Sequence, residues 1–237
     1  MMTMPQASVK VGLGQPMLKI VYDVDDVLWP LNERVFANLG IEFRKDITYN
    51  LRDNNLLTPT QQSAVLDAFH QADTFREMNF YPGAKQILQV EALGATVRIH
   101  SHCYTEEIAE LKRAQIQQLL PEMKPSFIKM AIIADNPNYK QVDADAFIFV
   151  DDNPYNIITS KAPINVVPRQ PWNTTAAATQ IMTNRRRTLI DMGWQTVLPE
   201  LISRHQHCVI MARNLKEVNQ IITQVVKLKQ EAKHGKS

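Results

Sequence analysis

Three carboxylates stand within four positions at the end of the first apolar stretch of the chain. Asp23 and Asp25 close residues 19–25, whose β-branched and aromatic side chains predict a buried strand, and Asp26 follows. Side chains two positions apart on a strand share a face, so Asp23 and Asp25 would point the same way. Crowded like charges raise the cost of ionising one another, and such a cluster usually needs a cation. A strand that runs into an acidic turn is the alternative interpretation.

Two later strand ends offer residues for the same chemistry. Residues 95–100 predict a strand that ends at Ser101. The apolar run 146–150 is typical of a strand buried on both faces, and it ends at Asp151 and Asp152. Ligands of open parallel sheets bind beyond the carboxyl ends of the strands, where these oxygens would meet those of the first strand. Carboxylates and a hydroxyl suit a hard cation such as Mg²⁺, which keeps water ligands for a phosphate to replace.

Lys112 is the best candidate for a fixed positive charge at a phosphate. It lies in a helix predicted over residues 105–120, about 40° from Ile108 on the helical wheel and therefore on the apolar face. A lysine on this face either extends past the core to solvent or points at a buried anion. The neighbouring carboxylates favour the second interpretation. Lys140 is a weaker candidate, for which a solvated loop lysine is the alternative.

Strands that alternate with helices predict an α/β fold with a doubly wound parallel sheet. No strand pattern occurs between Trp29 and Phe80, where helical patterns are found. We therefore expect a small helical cap at residues 31–80, inserted after the first strand into a core of residues 18–30 and 81–237. Further strands are expected at residues 126–133, 164–167 and 208–211.

The chain after residue 173 has a weaker pattern. Residues 176–204 are mostly helical by pattern, and residues 216–228 predict a clear amphipathic helix. We interpret Arg185, Arg186 and Arg187 as a solvated helix face rather than a nucleic-acid patch, because the formal net charge of the chain is only +2.

Composition excludes several classes of protein. A length of 237 residues and a hydrophobic fraction of 45% indicate a folded chain rather than a disordered one. Two cysteines, Cys103 and Cys208, fit a reducing compartment better than a disulfide framework. No apolar run could span a bilayer, and residues 1–17, an expected flexible leader, lack a signal-peptide core. We expect a cytoplasmic protein that binds neither a membrane nor a nucleic acid polymer.

Four motifs together resemble those of the haloacid dehalogenase-like hydrolases. The segment Asp23-Val24-Asp25-Asp26-Val27-Leu28 resembles the first motif, Ser101 the second, Lys112 the third and Asp151-Asp152 the fourth. The resemblance covers about residues 18–173 and implies a Rossmann-like core.

Within this superfamily the chain is most similar to the 5'(3')-deoxyribonucleotidase group. The similarity lies in Tyr81-Pro82-Gly83-Ala84, in Lys140 and in Pro171-Trp172-Asn173. Two positions depart from the group: Asp26 stands where glycine is usual, and His102-Cys103-Tyr104 replaces a serine-containing sequence. These departures concern the choice of substrate more than the reaction.

The resemblance implies covalent phosphoryl transfer. Asp23 would attack phosphorus and form an aspartyl-phosphate, and Asp25 would protonate the leaving oxygen and later accept a proton from water. Mg²⁺ would be held by Asp23, Asp152 and the backbone carbonyl of Asp25, with Asp151 in support.

The phosphoryl oxygens would be held by Ser101 and Lys112, again by resemblance. We expect a Mg²⁺-dependent phosphatase, most of all a 5'-nucleotidase for nucleoside or deoxynucleoside monophosphates. The alternatives are a phosphatase for sugar phosphates and a non-catalytic regulatory module that binds phosphate and Mg²⁺. Asp25 disfavours the module, because a second carboxylate supplies the acid and base that turnover needs.

Aromatic and arginine side chains in or next to the cap could contact the base of a nucleotide. A cap of this size would block a folded partner, so we expect a small phosphorylated metabolite. Phe36 and Phe69 are expected in the core of the cap. The candidates for base contacts are Trp29, Phe43, Arg44, Tyr49 and Arg52.

Overall fold

Seven parallel strands form one sheet in the part of the chain that the structure describes. This computed structural model describes residues 18–44, 47, 56–133, 145–184, 187–204 and 206–234. The strands are β1 (Leu18–Tyr22), β2 (Ala95–Cys103), β3 (Ile128–Ile132), β4 (Ile148–Val150), β5 (Ile164–Pro168), β6 (Thr188–Ile190) and β7 (Cys208–Ala212). Their order is β3-β2-β1-β4-β5-β7-β6, and every neighbouring pair is parallel. The predicted α/β fold with a doubly wound, Rossmann-like sheet is confirmed.

Side-chain alternation along the strands divides the core between the two faces of the sheet. Ile20 and Tyr22 of β1 belong to the larger apolar cluster, whereas Val21 packs in a smaller one with Phe149 and Val209. β5 and β7 are buried at every position, as parallel strands covered on both faces require. Polar residues at the strand ends are therefore left at the carboxyl edge.

Helices connect the strands and cover the sheet. Thr58 and Thr105 cap two of them, because their hydroxyls accept the backbone N–H groups of Gln61 and Ile108 at 3.2 Å. None of the described helices combines the length and the apolar character that a membrane span needs. The α-helices are α1 (Leu31–Asn38), α2 (Pro59–His70), α3 (Glu106–Leu119), α4 (Pro154–Thr159), α5 (Ala176–Thr183), α6 (Trp194–Ser203) and α7 (Leu215–His234). The 3₁₀ helices are Ala72–Phe75, Ala84–Leu93, Pro125–Phe127 and Pro171–Asn173.

Residues 31–80, expected to form the cap, contain α1, α2 and a 3₁₀ helix, and no strand lies among their described positions. Residues 176–204 are mostly helical, as predicted, through α5 and α6, but the short strand β6 between these helices was not predicted. Thr188 of β6 pairs with Cys208 of β7 at the end of the sheet. A strand of three residues between two helical patterns is too short to show the period of two by which strands are recognised.

Arg187 is a buried structural residue, so its interpretation as part of a solvated helix face is wrong. The residue is 7% exposed, and its guanidinium donates to the carbonyl oxygens of Ile157 and Ser160. Carbonyls near the end of α4 lack the full hydrogen bonding of a continuing helix, and the arginine adds a charged donor to both. Outside the described residues lie residues 1–17, Tyr49, Arg52, Lys140, Arg185 and Arg186.

We expect Arg187→Met to lower the free energy of unfolding by about 2 kcal/mol, because two buried carbonyls lose a charged donor. Arg204→Met is the matched control. Arg204 is exposed and pairs with Glu200 one helical turn earlier, a contact worth about 0.5 kcal/mol or less. Urea denaturation followed by circular dichroism measures both. Equal losses in the two variants would show that the buried contacts of Arg187 stabilise nothing.

Candidate active site

The chain leaves the sheet in opposite directions after β1 and β4. β1 is followed by its neighbour β2 on one side, whereas β4 is followed by β5 on the other. A crevice opens at the carboxyl ends of two such strands, and ligands of open α/β sheets bind there. The backbone N–H of Asp23 donates to the carbonyl of Val150 at 2.8 Å, which extends the pairing of β1 with β4 by one residue. Asp23 therefore lies beside Asp151 and Asp152, the residues that follow β4.

Three carboxylates meet in this crevice. Oxygens of Asp23, Asp151 and Asp152 lie within 4.8 Å of one another, and none of the three residues is more than 5% exposed. Removal of like charges from water is costly unless a cation compensates them. Oxygen ligands of this kind are those that Mg²⁺ takes in proteins, so these residues fit a divalent cation. We call Asp23, Asp151 and Asp152 the carboxylate cluster.

Two members of the carboxylate cluster are oriented by neighbouring donors. Asp151 accepts the backbone N–H of Asn153 at 2.9 Å, and the side-chain amide of Asn156 lies 3.1 Å from both its oxygens. Asp152 accepts the indole N–H of Trp172 at 2.9 Å. Asn156 lies on α4 and Trp172 on the 3₁₀ helix after β5, and no sequence pattern identified either as an orienting residue.

Asp25 is paired with one of the predicted phosphate-binding residues. Its two oxygens accept the ammonium of Lys112 at 2.6 Å and the indole N–H of Trp29 at 3.0 Å. Lys112 is 1% exposed, as its predicted place on the apolar face requires, and its ammonium lies 3.3 Å from the hydroxyl of Ser101. The structure thus brings Asp25, Ser101 and Lys112 together. Metal binding by the backbone carbonyl of Asp25 and phosphate binding by Ser101 and Lys112 stay predictions.

Phe75, a residue that sequence reasoning missed, covers the lysine from the side of the 31–80 segment. The ammonium of Lys112 lies 4.8 Å from the centre of the Phe75 ring, close enough for a cation–π contact. Gln115, one turn further along α3, donates to the carbonyl of Phe75 and accepts the N–H of Met78 at 2.6 Å. The end of the 31–80 segment is therefore fixed to the helix that carries Lys112.

Asp26 connects the turn after β1 to the other end of the same segment. Its φ of 55° lies in the left-handed region, which favours glycine and which aspartate tolerates. Its carboxylate accepts the backbone N–H of Asn32 at 3.1 Å and the side-chain amide of Asn32 at 2.6 Å, so Asp26 is hydrogen-bonded to the first turn of α1. Burial raises the pKa of Asp26 well above its usual value, although the hydrogen bonds from Asn32 lower it in part. The negative charges of Asp25 and Asp23 also raise this pKa.

The candidates for base contacts have different surroundings. Trp29 is 1% exposed, and its indole N–H is taken by Asp25, so it offers no ring face to a base. Phe36 is buried, as expected of cap core. Phe43 is half-buried, with its ring 5.3 Å from that of Phe36 and 6.1 Å from that of Trp172. Arg44 is exposed.

Comparisons with known proteins were made by sequence and by structure. No family model and no curated protein matches the chain. Its structure is similar to a haloacid dehalogenase-like family hydrolase from Streptococcus pneumoniae, with 12% identity, a TM-score of 0.47 and coverage of 85% of this chain and 96% of the other. A protein assigned as a β-phosphoglucomutase from Bacteroides vulgatus has 10% identity, a TM-score of 0.46 and coverage of 90% of each chain.

A third similar structure is a protein assigned as a haloacid dehalogenase-like hydrolase from Burkholderia xenovorans. It has 15% identity and a TM-score of 0.42, with coverage of 89% of this chain and 99% of the other. At these identities and TM-scores, the similarity adds nothing to a functional inference. The function must be inferred from the residues of the site.

We expect Trp172→Phe to weaken Mg²⁺ binding about tenfold, because the loss of a hydrogen bond to a metal-binding carboxylate lowers metal affinity. Trp194→Phe is the matched control, since Trp194 is also buried and donates its indole N–H to Glu217, at 3.2 Å. Isothermal titration with Mg²⁺ gives both affinities. Unchanged affinity in Trp172→Phe, or an equal loss in both variants, would rule out a specific role for Trp172.

Proposed function

We propose that this chain is a Mg²⁺-dependent phosphohydrolase of the haloacid dehalogenase type, acting on a small phosphoester through an aspartyl-phosphate. The observation that carries the proposal is the position of the buried carboxylate cluster. It lies at the crevice between β1 and β4, and Lys112 and Ser101 are held together close to the same strand ends. A cation site that includes Asp23 and a fixed ammonium near the same strand ends are what a carboxylate needs to approach a phosphate dianion.

The proposed reaction has two steps. An oxygen of Asp23 forms a bond to phosphorus while the bond from phosphorus to the leaving oxygen breaks, and Asp25 supplies a proton to that oxygen. Water then attacks phosphorus and gives a proton to Asp25, while the bond from phosphorus to the Asp23 oxygen breaks, so that inorganic phosphate is released and the Asp23 carboxylate is restored. Bound Mg²⁺ would neutralise charge on the attacking carboxylate and the phosphoryl oxygens. Ser101 and Lys112 would hold the phosphoryl oxygens that carry the remaining charge.

For the substrate we propose a nucleoside monophosphate, with a sugar phosphate as the alternative. The contact of Phe75 with Lys112 supports a small substrate, because the 31–80 segment packs directly against the proposed phosphate site. Exposed Arg44 and half-buried Phe43 are the described candidates for contacts with the rest of the substrate. A cytoplasmic location remains part of this proposal and depends on the cysteine content alone.

We expect Asp23→Asn to fold and to lose at least about a thousandfold in kcat, or about 4 kcal/mol, because an amide is a poor nucleophile. Asp67→Asn is the matched control, since Asp67 is exposed on α2. Phosphate release is measured in Mg²⁺ and in excess chelator, which should abolish turnover in the wild type. Normal turnover by Asp23→Asn, or full activity in chelator, would refute the proposed function.

We expect the highest kcat/KM for nucleoside monophosphates among small phosphoesters, because Phe43 or Arg44 could contact a base, which a sugar phosphate lacks. The measurement compares nucleoside monophosphates, sugar phosphates and a phosphopeptide under one set of conditions. A preference for sugar phosphates would remove only the nucleotide assignment. A clear preference for the phosphopeptide would show that the segment does not restrict access.

A further inference from the structure

A separate open cavity of about 680 Å³ lies at the surface between α7, α6 and the 3₁₀ helix Ala84–Leu93, and more than half of its lining residues are exposed. None of its lining residues belongs to the carboxylate cluster or to the group of Asp25, Ser101 and Lys112. Pockets for small molecules in proteins have volumes of about 300–1,000 Å³, so the cavity could take a molecule of nucleoside or sugar size. Six of the eleven residues that line it carry side-chain amides: Gln86, Gln89, Gln195, Asn219, Gln220 and Gln224.

The lining favours a neutral ligand with many hydroxyl groups. Each amide offers both a donor and an acceptor, which is also what a hydroxyl group presents. Thr223 adds a hydroxyl, and Lys216 is the one charged residue in the lining. A phosphate dianion would meet a single ammonium there, whereas vicinal hydroxyls would find several donor and acceptor pairs.

Part of the cavity wall is fixed by hydrogen bonds. The amide of Asn219 donates to the carbonyl of Gly83 at 2.9 Å, and its oxygen accepts the hydroxyl of Tyr22 at 3.3 Å. Gly83, with φ of 101°, stands where the chain returns from the 31–80 segment to the core. Trp194, another wall residue, is held by Glu217. A ligand would therefore meet two fixed side chains, Asn219 and Trp194, beside this junction, which lowers the cost of binding.

We propose that this cavity binds a neutral polyhydroxylated molecule, the chemical class of the alcohol that the proposed phosphohydrolase would release. That the ligand belongs to the class of the reaction product rests on the proposed function. That a polyhydroxylated molecule binds here is inferred from the amide lining alone. The shared chemistry is a set of vicinal hydroxyls, which a nucleoside or a free sugar could supply.

The test is a calorimetric titration of the full chain with adenosine and, separately, with glucose. We expect at least one of them to bind with a Kd of about 1 mM or tighter. Thr223→Phe, which places an aromatic ring in the cavity, and the double variant Gln220→Ala with Gln224→Ala should each bind at least about tenfold more weakly. Gln118→Ala, at an exposed glutamine on α3, is the matched control and should bind as the wild type does.

Two results would overturn the proposal. One is no binding of either probe up to about 10 mM. The other is equal binding in the wild type and in both cavity variants, which would place the probe elsewhere, such as at the carboxylate cluster. Binding of only one probe identifies the source of the hydroxyls and supports the proposal. Failure of the proposed function is a separate outcome, because phosphate release is not needed for this titration.

Discussion

The repulsion among three buried carboxylates is the constraint on which this edge of the sheet depends. Asp23, Asp151 and Asp152 are brought together by the pairing of β1 with β4, which continues through the N–H of Asp23. Their strand ends cannot separate without breaking that ladder. In a site with little solvent, such charges repel strongly and lose their hydration. A bound cation would offset both the repulsion and the lost hydration, and this physical requirement favours a metal site over an acidic turn.

The hydrogen-bond donors around the site form two groups, one at the carboxylate cluster and one at Asp25. Asn156 and Trp172 orient Asp151 and Asp152, whereas Lys112 and Trp29 are directed at Asp25. The 31–80 segment contacts Lys112 at one end and the turn after β1 at the other. Phe75 lies against Lys112, and Asn32 donates to Asp26 in the turn after β1. A movement of this segment would therefore change the contacts of Lys112 directly and those of Asp25 through Lys112.

Much of the fold was predictable from the sequence, because buried parallel strands are continuous apolar runs and their ends carry polar residues. Six of the strands were expected, with bounds within three residues of those observed. Lys112 was placed on the buried face by helical periodicity alone. Contacts across the fold were not predictable, since nothing local in the sequence pairs Trp172 with Asp152 or Arg187 with the end of α4. Likewise, three residues of β6 carry too little pattern to outweigh the helices around them.

Phosphorylation of Asp23 is the most direct test of the account. The Asp25→Asn variant keeps the proposed nucleophile and lacks the group that would activate water, so an intermediate should accumulate. The variant is incubated with a nucleoside monophosphate and Mg²⁺, quenched in acid and examined by peptide mass spectrometry. The account predicts a phosphate adduct on Asp23 that is absent in excess chelator and in the Asp23→Asn, Asp25→Asn double variant. Phosphate release by the wild type without any such adduct, or an adduct that forms equally well in chelator, would contradict it.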